Sequence, residues 1–266
     1  MKPSDPVQST PIAIILAAGE GTRLGSYTAE RPKCLVEVGG RPLLARTLAA
    51  LVAAGVHEVV MVVGYREEVL ERFLAAYAAA HPLPRVTTVR NAEYARTNNA
   101  YSLWTARTHV HGGFVLLDGD LLFEPGVVSA VLAAPGDAVL AVDKRDNLGE
   151  EEMKVLLGPS VSVAAVNKTM DPRQAIGESI GVARLSADAA QALWHRLGAQ
   201  IEDGQRNVYY ELAFEQMIAA GWQFSVADVT GLHCMEIDTP EDLAAAHRLA
   251  ERMAQRNTDA GTQPSP

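Results

Sequence analysis

The sequence predicts an α/β fold: a single domain built on a mixed, mostly parallel sheet flanked by helices. Three observations lead there. Apolar runs of strand length alternate with amphipathic stretches of helix length through the first 120 residues, the order that parallel strands with crossover helices require. After residue 136, closely spaced strand-like runs follow without long helices between them, which adds an antiparallel or mixed extension of the sheet. No linker and no internal repeat divides the chain.

The elements follow in order. "PIAIILA" (11–17) has the unbroken apolar character of a buried strand, and "PLLARTLAALVAAG" (42–55) is an amphipathic helix ended by Gly55. "HEVVMVVG" (57–64) is a second strand and "REEVLERFLAAYAAAH" (66–81) a second helix. "RVTTVRN" (85–91) and "GFVLLDGD" (113–120) are strands separated by the helix-like "NNAYSLWTARTHV" (98–110). "DAVLAVD", "MKVLLG", "VSVAAVN" and "SIGVARLS" form the extension, followed by helices at about 187–202 and 207–220 and a strand "WQFSVADV" (222–229). The last helix starts at Thr239-Pro240-Glu241-Asp242: a capping Thr, Pro at the first position, acids in the first turn. Residues 1–10 and 256–266 read as flexible tails around a domain spanning 11–255.

Composition narrows the function. The 266 residues are 48% hydrophobic, ample for a core, and 21% charged. No apolar run approaches the ~20 residues of a membrane span, and the N-terminus lacks an apolar signal segment. Two cysteines, Cys34 and Cys234, make no disulfide framework, so the expectation is a cytoplasmic protein without membrane insertion, and a homodimer is compatible with it. A net charge of -9 argues against a nucleic-acid partner. Any phosphate binding has to be concentrated at one point of an acidic body.

That point is the turn after the first strand, where ligands sit in sheets of this kind. In "LAAGEGTR" (16–23), Leu16, Ala17, Ala18, Gly19, Gly21 and Thr22 bring backbone amides close enough to line an anion cradle. Arg23 adds a planar donor fork and Lys33 a mobile point charge. The spacing is neither G-x-G-x-x-G opening into a helix nor a P-loop. The bland alternative is a tight turn with two solvated cations. "LLDGDLLFEP" sets Asp118 and Asp120 at the exit edge of the sheet, where a carboxylate can hold Mg²⁺ against phosphates. Strict alternation would turn both the same way, with Gly119 opposite. None of the seven histidines has a triad partner in sequence.

"ILAAGEGTRL" followed by "RPKCLVEVGGRPLL" resembles the signature of the nucleotidyltransferases that make activated sugars and alcohols, and the likeness runs from 11 to 255. The resemblance implies a Rossmann-like, GT-A-type fold, a triphosphate held by the glycine-rich loop, and catalytic roles for Arg23 and Lys33. It implies Mg²⁺ as cofactor, on Asp120 and on Asp238 in "EIDT", with Asp118 as an outer or ribose contact; Glu236 shares the parity of Asp238 and could join them. It also puts the base near Asn98, Asn99 and Ser102, although an Asn pair equally well caps the helix that begins there. "NNAYSL", "EEMKV", "GESIGVARLS", "YYELAF" and "EIDTPEDL" look more like the cytidylyltransferase branch acting on phosphocholine, aminoalkyl phosphonates or inositol phosphate.

The expectation is therefore transfer of CMP from CTP to a small phosphate or phosphonate acceptor, with release of pyrophosphate. Lys154 and Lys168 are candidate ligands of the acceptor's phosphorus group, or simply strand lysines. Glu178, Tyr210 and Glu211, with Tyr209 and Trp194 weighed beside them, could receive a cationic amine. Helical spacing marks at least one of those tyrosines as core, and Trp194 too; both cysteines read as packing. The rivals are a sugar-1-phosphate nucleotidyltransferase using UTP or dTTP, a metal-dependent GT-A glycosyltransferase, whose Asp-x-Asp element "DGD" mimics, and a relative that binds nucleotide without turnover.

Overall fold

The computed structural model describes residues 12–261, with side chains through Arg256; the expected N-terminal tail, 1–10, lies outside the described residues. Strand β1 (Ile12–Ala17) ends in the loop of interest, which closes through the two-residue strands β2 (Glu37–Val38) and β3 (Arg41–Pro42) into helix α1 (Leu43–Ala53). β4 (Glu58–Val63), α2 (Glu67–Ala78), β5 (Arg85–Arg90), α3 (Asn99–Ala106) and β6 (Phe114–Asp118) complete the alternating half. β7 (Leu121–Phe123), α4 (Gly126–Ala133), β8 (Ala138–Asp143), β9 (Lys154–Leu157), β10 (Val163–Asn167) and β11 (Gly177–Leu185) follow. α5 (Ala187–Glu202), α6 (Glu211–Ala219), β12 (Phe224–Asp228), β13 (Cys234–Glu236) and α7 (Pro240–Gly261) close the chain.

Nine of these strands form one sheet, ordered β10-β9-β11-β6-β1-β4-β5 with β8 and β12 branching from β11. β6, β1, β4 and β5 are parallel, while β11 runs antiparallel to β6, β8 and β9. The mixed, mostly parallel expectation holds. β1 shows why both faces carry helices: Ile14 and Leu16 enter one core with α3, α5 and α6, and Ala13 and Ile15 enter the other with α1 and α4. Such two-sided burial is what an unbroken apolar strand encodes.

A third cluster positions the site. Leu243, Ala246, Leu249, Ala250 and Met253, a helical stripe along α7, pack on Leu24, Val36, Val38 and Ile237. These neighbours belong to the segments that carry Arg23, Lys33 and Asp238, so the final helix clamps the front loop to the sheet. Each buried leucine of that clamp is worth roughly 2 kcal/mol.

Three expectations shift. α7 runs on to Gly261, taking in residues expected to be tail: nothing between Met253 and Gly261 breaks a helix, and Gly261 is the first residue to disfavour one. α6 starts at Glu211 rather than 207, because the preceding backbone serves α3 instead. The Arg206 and Val208 carbonyls accept from Asn98 and Ala100, satisfying donors that a helix N-terminus leaves unpaired. And β6 ends at Asp118: Gly119 donates to the Leu16 carbonyl at 2.9 Å and the chain turns. Asp120 therefore stands on a turn, and the alternation argument for it lapses.

Candidate active site

The loop after β1 is shaped by its glycine. Gly21 sits at φ +62°, and a Cβ there would meet the Lys33 Cβ at 3.2 Å, so glycine at 21 lets the two halves of the loop close together. Thr28 Oγ1 donates to the Gly21 carbonyl at 2.8 Å, and buried Leu24 pins the first of two short 3₁₀ turns, Thr22–Tyr27 and Lys33–Leu35. The cleft formed here is lined by all the residues expected around a nucleotide: Leu16, Ala17, Ala18, Gly19, Gly21, Thr22, Asn98, Asn99, Ser102 and Asp118, together with Arg23, Lys33, Asp120 and Asp238.

Of the two jobs weighed for the asparagines, the structure shows the helix-capping one. Asn98 caps α3, its Oδ1 accepting from Asn99 N at 2.8 Å, and Asn99 Oδ1 accepts from Tyr210 N at 2.9 Å. Both still line the cleft. Ser102 is held from behind by buried Asn91, whose Nδ2 donates to Ser102 Oγ at 3.0 Å.

At the floor, Asp120, Glu236 and Asp238 each offer a carboxylate oxygen within 4.8 Å of the others. Lys33 Nζ donates to Asp120 at 2.7 Å and to Asp238, and Arg23 Nη2 reaches Asp238 at 2.6 Å. Asp120 Oδ1 is buried with no hydrogen-bond partner among the described residues. Burial works against the Lys33 charge, but Asp120 and Asp238 outweigh it and raise its pKa. Burial alone would also raise Asp238; Lys33 and then Arg23 reverse the sign and hold it low. Glu236 is pushed up to about 8, by burial and then by Asp120 and Asp238. An all-oxygen donor set with one buried oxygen unclaimed suits a hard divalent cation such as Mg²⁺.

Asp118 lies between this site and a second cavity. Burial first, then Asp120, Glu211 and Glu236, raise its pKa well above the carboxylate range, and its Oδ2 accepts from Tyr210 OH at 3.1 Å. A bulge in β11 makes room for it: Gly181, at φ +69°, would place a Cβ 2.6 Å from that same oxygen.

Beyond Asp118 and Asp238 lies a second cavity, sharing Asn99, Tyr209 and Glu236 with the first. Lys168, Glu178 and Glu211, the residues weighed for the acceptor, line it. Glu211, the first residue of α6, is 6% exposed; its Oε2 has no hydrogen-bond partner among the described residues, and burial pushes its pKa up to about 7. Glu178 accepts from Arg145, and Lys168 Nζ stands 5.0 Å from the Tyr209 ring centroid.

Two expected acceptor residues are corrected. Lys154 is 1% exposed and does not line the cavity; its Nζ donates to the Gly149, Glu150 and Glu152 carbonyls. Tyr210 is 2% exposed core, reaching the site only through its hydroxyl, while Tyr209 is the tyrosine that lines both cavities. The reason is the loop docked on α3, which turns the pair inside out relative to a helix begun at 207. Trp194 stacks on Phe114 at 5.2 Å, in the core. Sequence reasoning missed Asp143, Arg145, Glu151 and Glu152, also on the cavity wall. The charge-dense run "KRDNLGEEE" (144–152) between two strands was the available signal. Both cysteines have thiols pushed up to about 12, by burial above all, which leaves them unreactive.

Residues 13–209 match the family model described as the MobA-like NTP transferase domain. Over 244 residues the chain is 34% identical to the CMP-5'-(3-aminopropyl)phosphonate synthase of Streptomyces rubellomurinus, covering 86% of this chain and 37% of that protein. Identity is also 34%, over 245 residues, with the bifunctional IPC transferase and DIPP synthase of Rubrobacter xylanophilus, at 91% and 51% coverage. The chain thus spans about half or less of the length of these relatives. Among solved structures, the inositol-1-phosphate CTP transferase from T. maritima aligns with a TM-score of 0.75 at 26% identity, over 91% of this chain and 96% of that one.

Proposed function

The chain belongs to the MobA-like NTP transferase family, and from that premise we propose that it is a Mg²⁺-dependent cytidylyltransferase, moving CMP from CTP to a small phosphate or phosphonate that carries a cationic amine. The observation that carries this reading is the junction of two cavities at Asp118 and Asp238, one with Arg23 and Lys33 set against the Asp120–Glu236–Asp238 cluster, the other walled mainly by acids. CTP is supported by the relatives named as CMP-forming or CTP-using. An ammonium group is supported by Glu178 and by the unpartnered oxygen of Glu211; a neutral sugar would leave that buried carboxylate unmatched.

The residues assign themselves roles. The loop from Leu16 to Thr22 cradles the triphosphate through backbone amides. Asp120 and Asp238, with Glu236 beside them, would hold the metal, which when bound supplies Lewis-acid charge neutralisation at the phosphates. Arg23 and Lys33, freed from the carboxylates, balance the charge that builds on pyrophosphate as the bond between α- and β-phosphates breaks. The acceptor's oxygen forms the new bond to the α-phosphorus. It is already anionic, so no general base is needed, and alignment does the rest. Lys168, in the lining of the second cavity, would contact the acceptor's phosphorus group.

A pyrophosphate-release screen tests the reading, crossing the four nucleoside triphosphates with phosphocholine, aminoethylphosphonate, inositol phosphate and hexose 1-phosphates. The expected result is turnover with CTP and an amine-bearing acceptor. Turnover only with UTP or dTTP and a hexose phosphate would overturn it.

A further inference from the structure

Lys154 does not touch the cavity, yet the wall of the cavity stands on it. Its ammonium is buried and meets backbone carbonyls rather than a carboxylate: Gly149 at 2.9 Å, Glu152 at 3.1 Å and Glu150 at 3.4 Å. All three belong to one turn just ahead of β9. An ammonium has three N–H donors, and this turn presents three inward carbonyls. A buried ammonium without acceptors would be costly, and these carbonyls supply them. The turn's side chains face the other way: Glu151, Glu152 and Met153 line the second cavity.

The other ties to the loop are mostly made by side chains at the surface, among them Lys168 Nζ to the 82%-exposed Glu151 at 3.4 Å. Lys144 N donates to Thr230 Oγ1 at 3.0 Å at one end, and Ser179 N to the Met153 carbonyl at 2.8 Å at the other. Leu148 is its buried apolar residue. At its start, the exposed Lys144 pairs with Asp228 at 2.7 Å, an arrangement open to solvent screening. Arg145 bridges Glu152 at 3.6 Å and Glu178, linking the loop to β11 across the cavity. Glu152 also accepts from Gly149 N at 2.8 Å, so Gly149 is held through both its N–H and its carbonyl. A segment with few apolar contacts opens locally at low cost unless such ties hold it.

We infer that Lys154 is a positioning residue: its ammonium clasps the 149–152 turn and so sets Glu151, Glu152 and Arg145 in place as the acceptor-facing wall. The inference rests on the reading of that cavity as the acceptor site. It assigns Lys154 a role distinct from contact with the acceptor, and it separates acceptor binding from nucleotide binding, because among the described residues no hydrogen bond or ion pair joins the 149–152 turn to the cradle around Gly21.

The test uses the full chain with Lys154→Met, and Lys154→Gln, which keeps two N–H donors, as the milder variant should the first fail to fold. In ligand-free protein, hydrogen exchange across 144–153 should speed by about tenfold or more while β1 and its loop are unmoved. With aminoethylphosphonate as the probe, the acceptor KM should rise about tenfold and the CTP KM stay within about twofold, with Lys154→Gln intermediate. Unchanged exchange overturns the clasp whatever the kinetics do. Faster exchange with an unmoved acceptor KM overturns the positioning role, and an equal rise in both KM values marks a general loss of structure and overturns it too. The exchange arm needs no turnover, so a wild-type chain inactive toward every acceptor would sink the functional reading alone.

Discussion

The two halves of the cleft are built by different rules. The proposed nucleotide half takes its glycines and both its cations, Arg23 and Lys33, from one short stretch, 16–33, folded over the ends of parallel strands, and adds residues from 94–102, 118–120 and 236–238. The acceptor half is assembled from side chains on separate segments: Asp143 to Met153, Lys168, Glu178 to Gly181, Tyr209 to Glu211, and Cys234 to Glu236. Its wall carries Asp143, Glu151, Glu152, Glu178 and Glu211 against Arg145 and Lys168. Under the proposed function, the three phosphates of a nucleoside triphosphate are the same whatever the base and can be met by a local device. The acceptor would be read largely by the loops and bulges of the antiparallel extension, which can change without disturbing the parallel sheet.

The largest expected effect breaks the nucleotide half alone. Asp120→Asn keeps the shape of the side chain but removes the charge beside Lys33 and weakens the orphaned oxygen as a metal ligand. Turnover with saturating CTP and acceptor should fall by about a thousandfold. Thermal unfolding should remain cooperative, and acceptor affinity measured by calorimetry should hold. A large loss of acceptor affinity would show that the halves are not separable, and unchanged kcat would remove the metal assignment.

The same division governs what the sequence made legible. Gly21, Arg23 and Lys33 could be singled out because the cradle is contiguous and its residue types have few other reasons to occur together, and Asp120 because an acid closes an apolar strand. The parallel strands were readable from apolar length, since β1 and β6 are buried on both faces. Lys154 and the Tyr209–Tyr210 pair were misassigned for a physical reason. An exposed strand lysine and a buried carbonyl clasp look identical in sequence, and which tyrosine faces the cleft depends on where α6 begins. That start is fixed by hydrogen bonds to α3, about a hundred residues away along the chain. The wall residues Arg145 and Glu152 needed the tertiary fold to find them a cavity.

A middle-sized effect sharpens the comparison from the acceptor side. Glu211 has its pKa raised by burial from the ordinary 4.5 to about 7. A carboxyl raised on folding binds more protons in the native state than in the unfolded state, so its contribution to stability is complete below about pH 4.5 and is lost as pH rises through about 7. Glu211→Gln removes that loss. Urea titrations should find the variant more stable than wild type at pH 8, by roughly 2 kcal/mol, with the gap closing at pH 4.5. The same change should raise the KM of an amine-bearing acceptor about tenfold. In wild type that KM should fall as pH rises through about 7, because an ammonium prefers the ionised carboxylate. Stability and acceptor affinity would thus run in opposite directions with pH. If the variant is no more stable at pH 8, Glu211 is not a strained carboxylate kept for a ligand.

The smallest effect separates two adjacent tyrosines. Tyr209 is 44% exposed and shared by the two cavities, and its ring contributes cation–π attraction where a cation enters. Tyr209→Leu should raise the KM of an amine-bearing acceptor about threefold, with little change for inositol phosphate, which has no amine, and melting should stay put because the ring is half in water. Tyr210→Phe should do the reverse. It keeps the buried ring but deletes the hydroxyl that donates to Asp118 at 3.1 Å, so it should cost about 1 kcal/mol of stability with a smaller change in acceptor KM. The pair is informative because composition and local sequence are nearly matched, and only orientation differs. Equal KM effects from both substitutions would mean that α6 begins earlier in solution and that the two halves of the cleft meet through a different face of the loop.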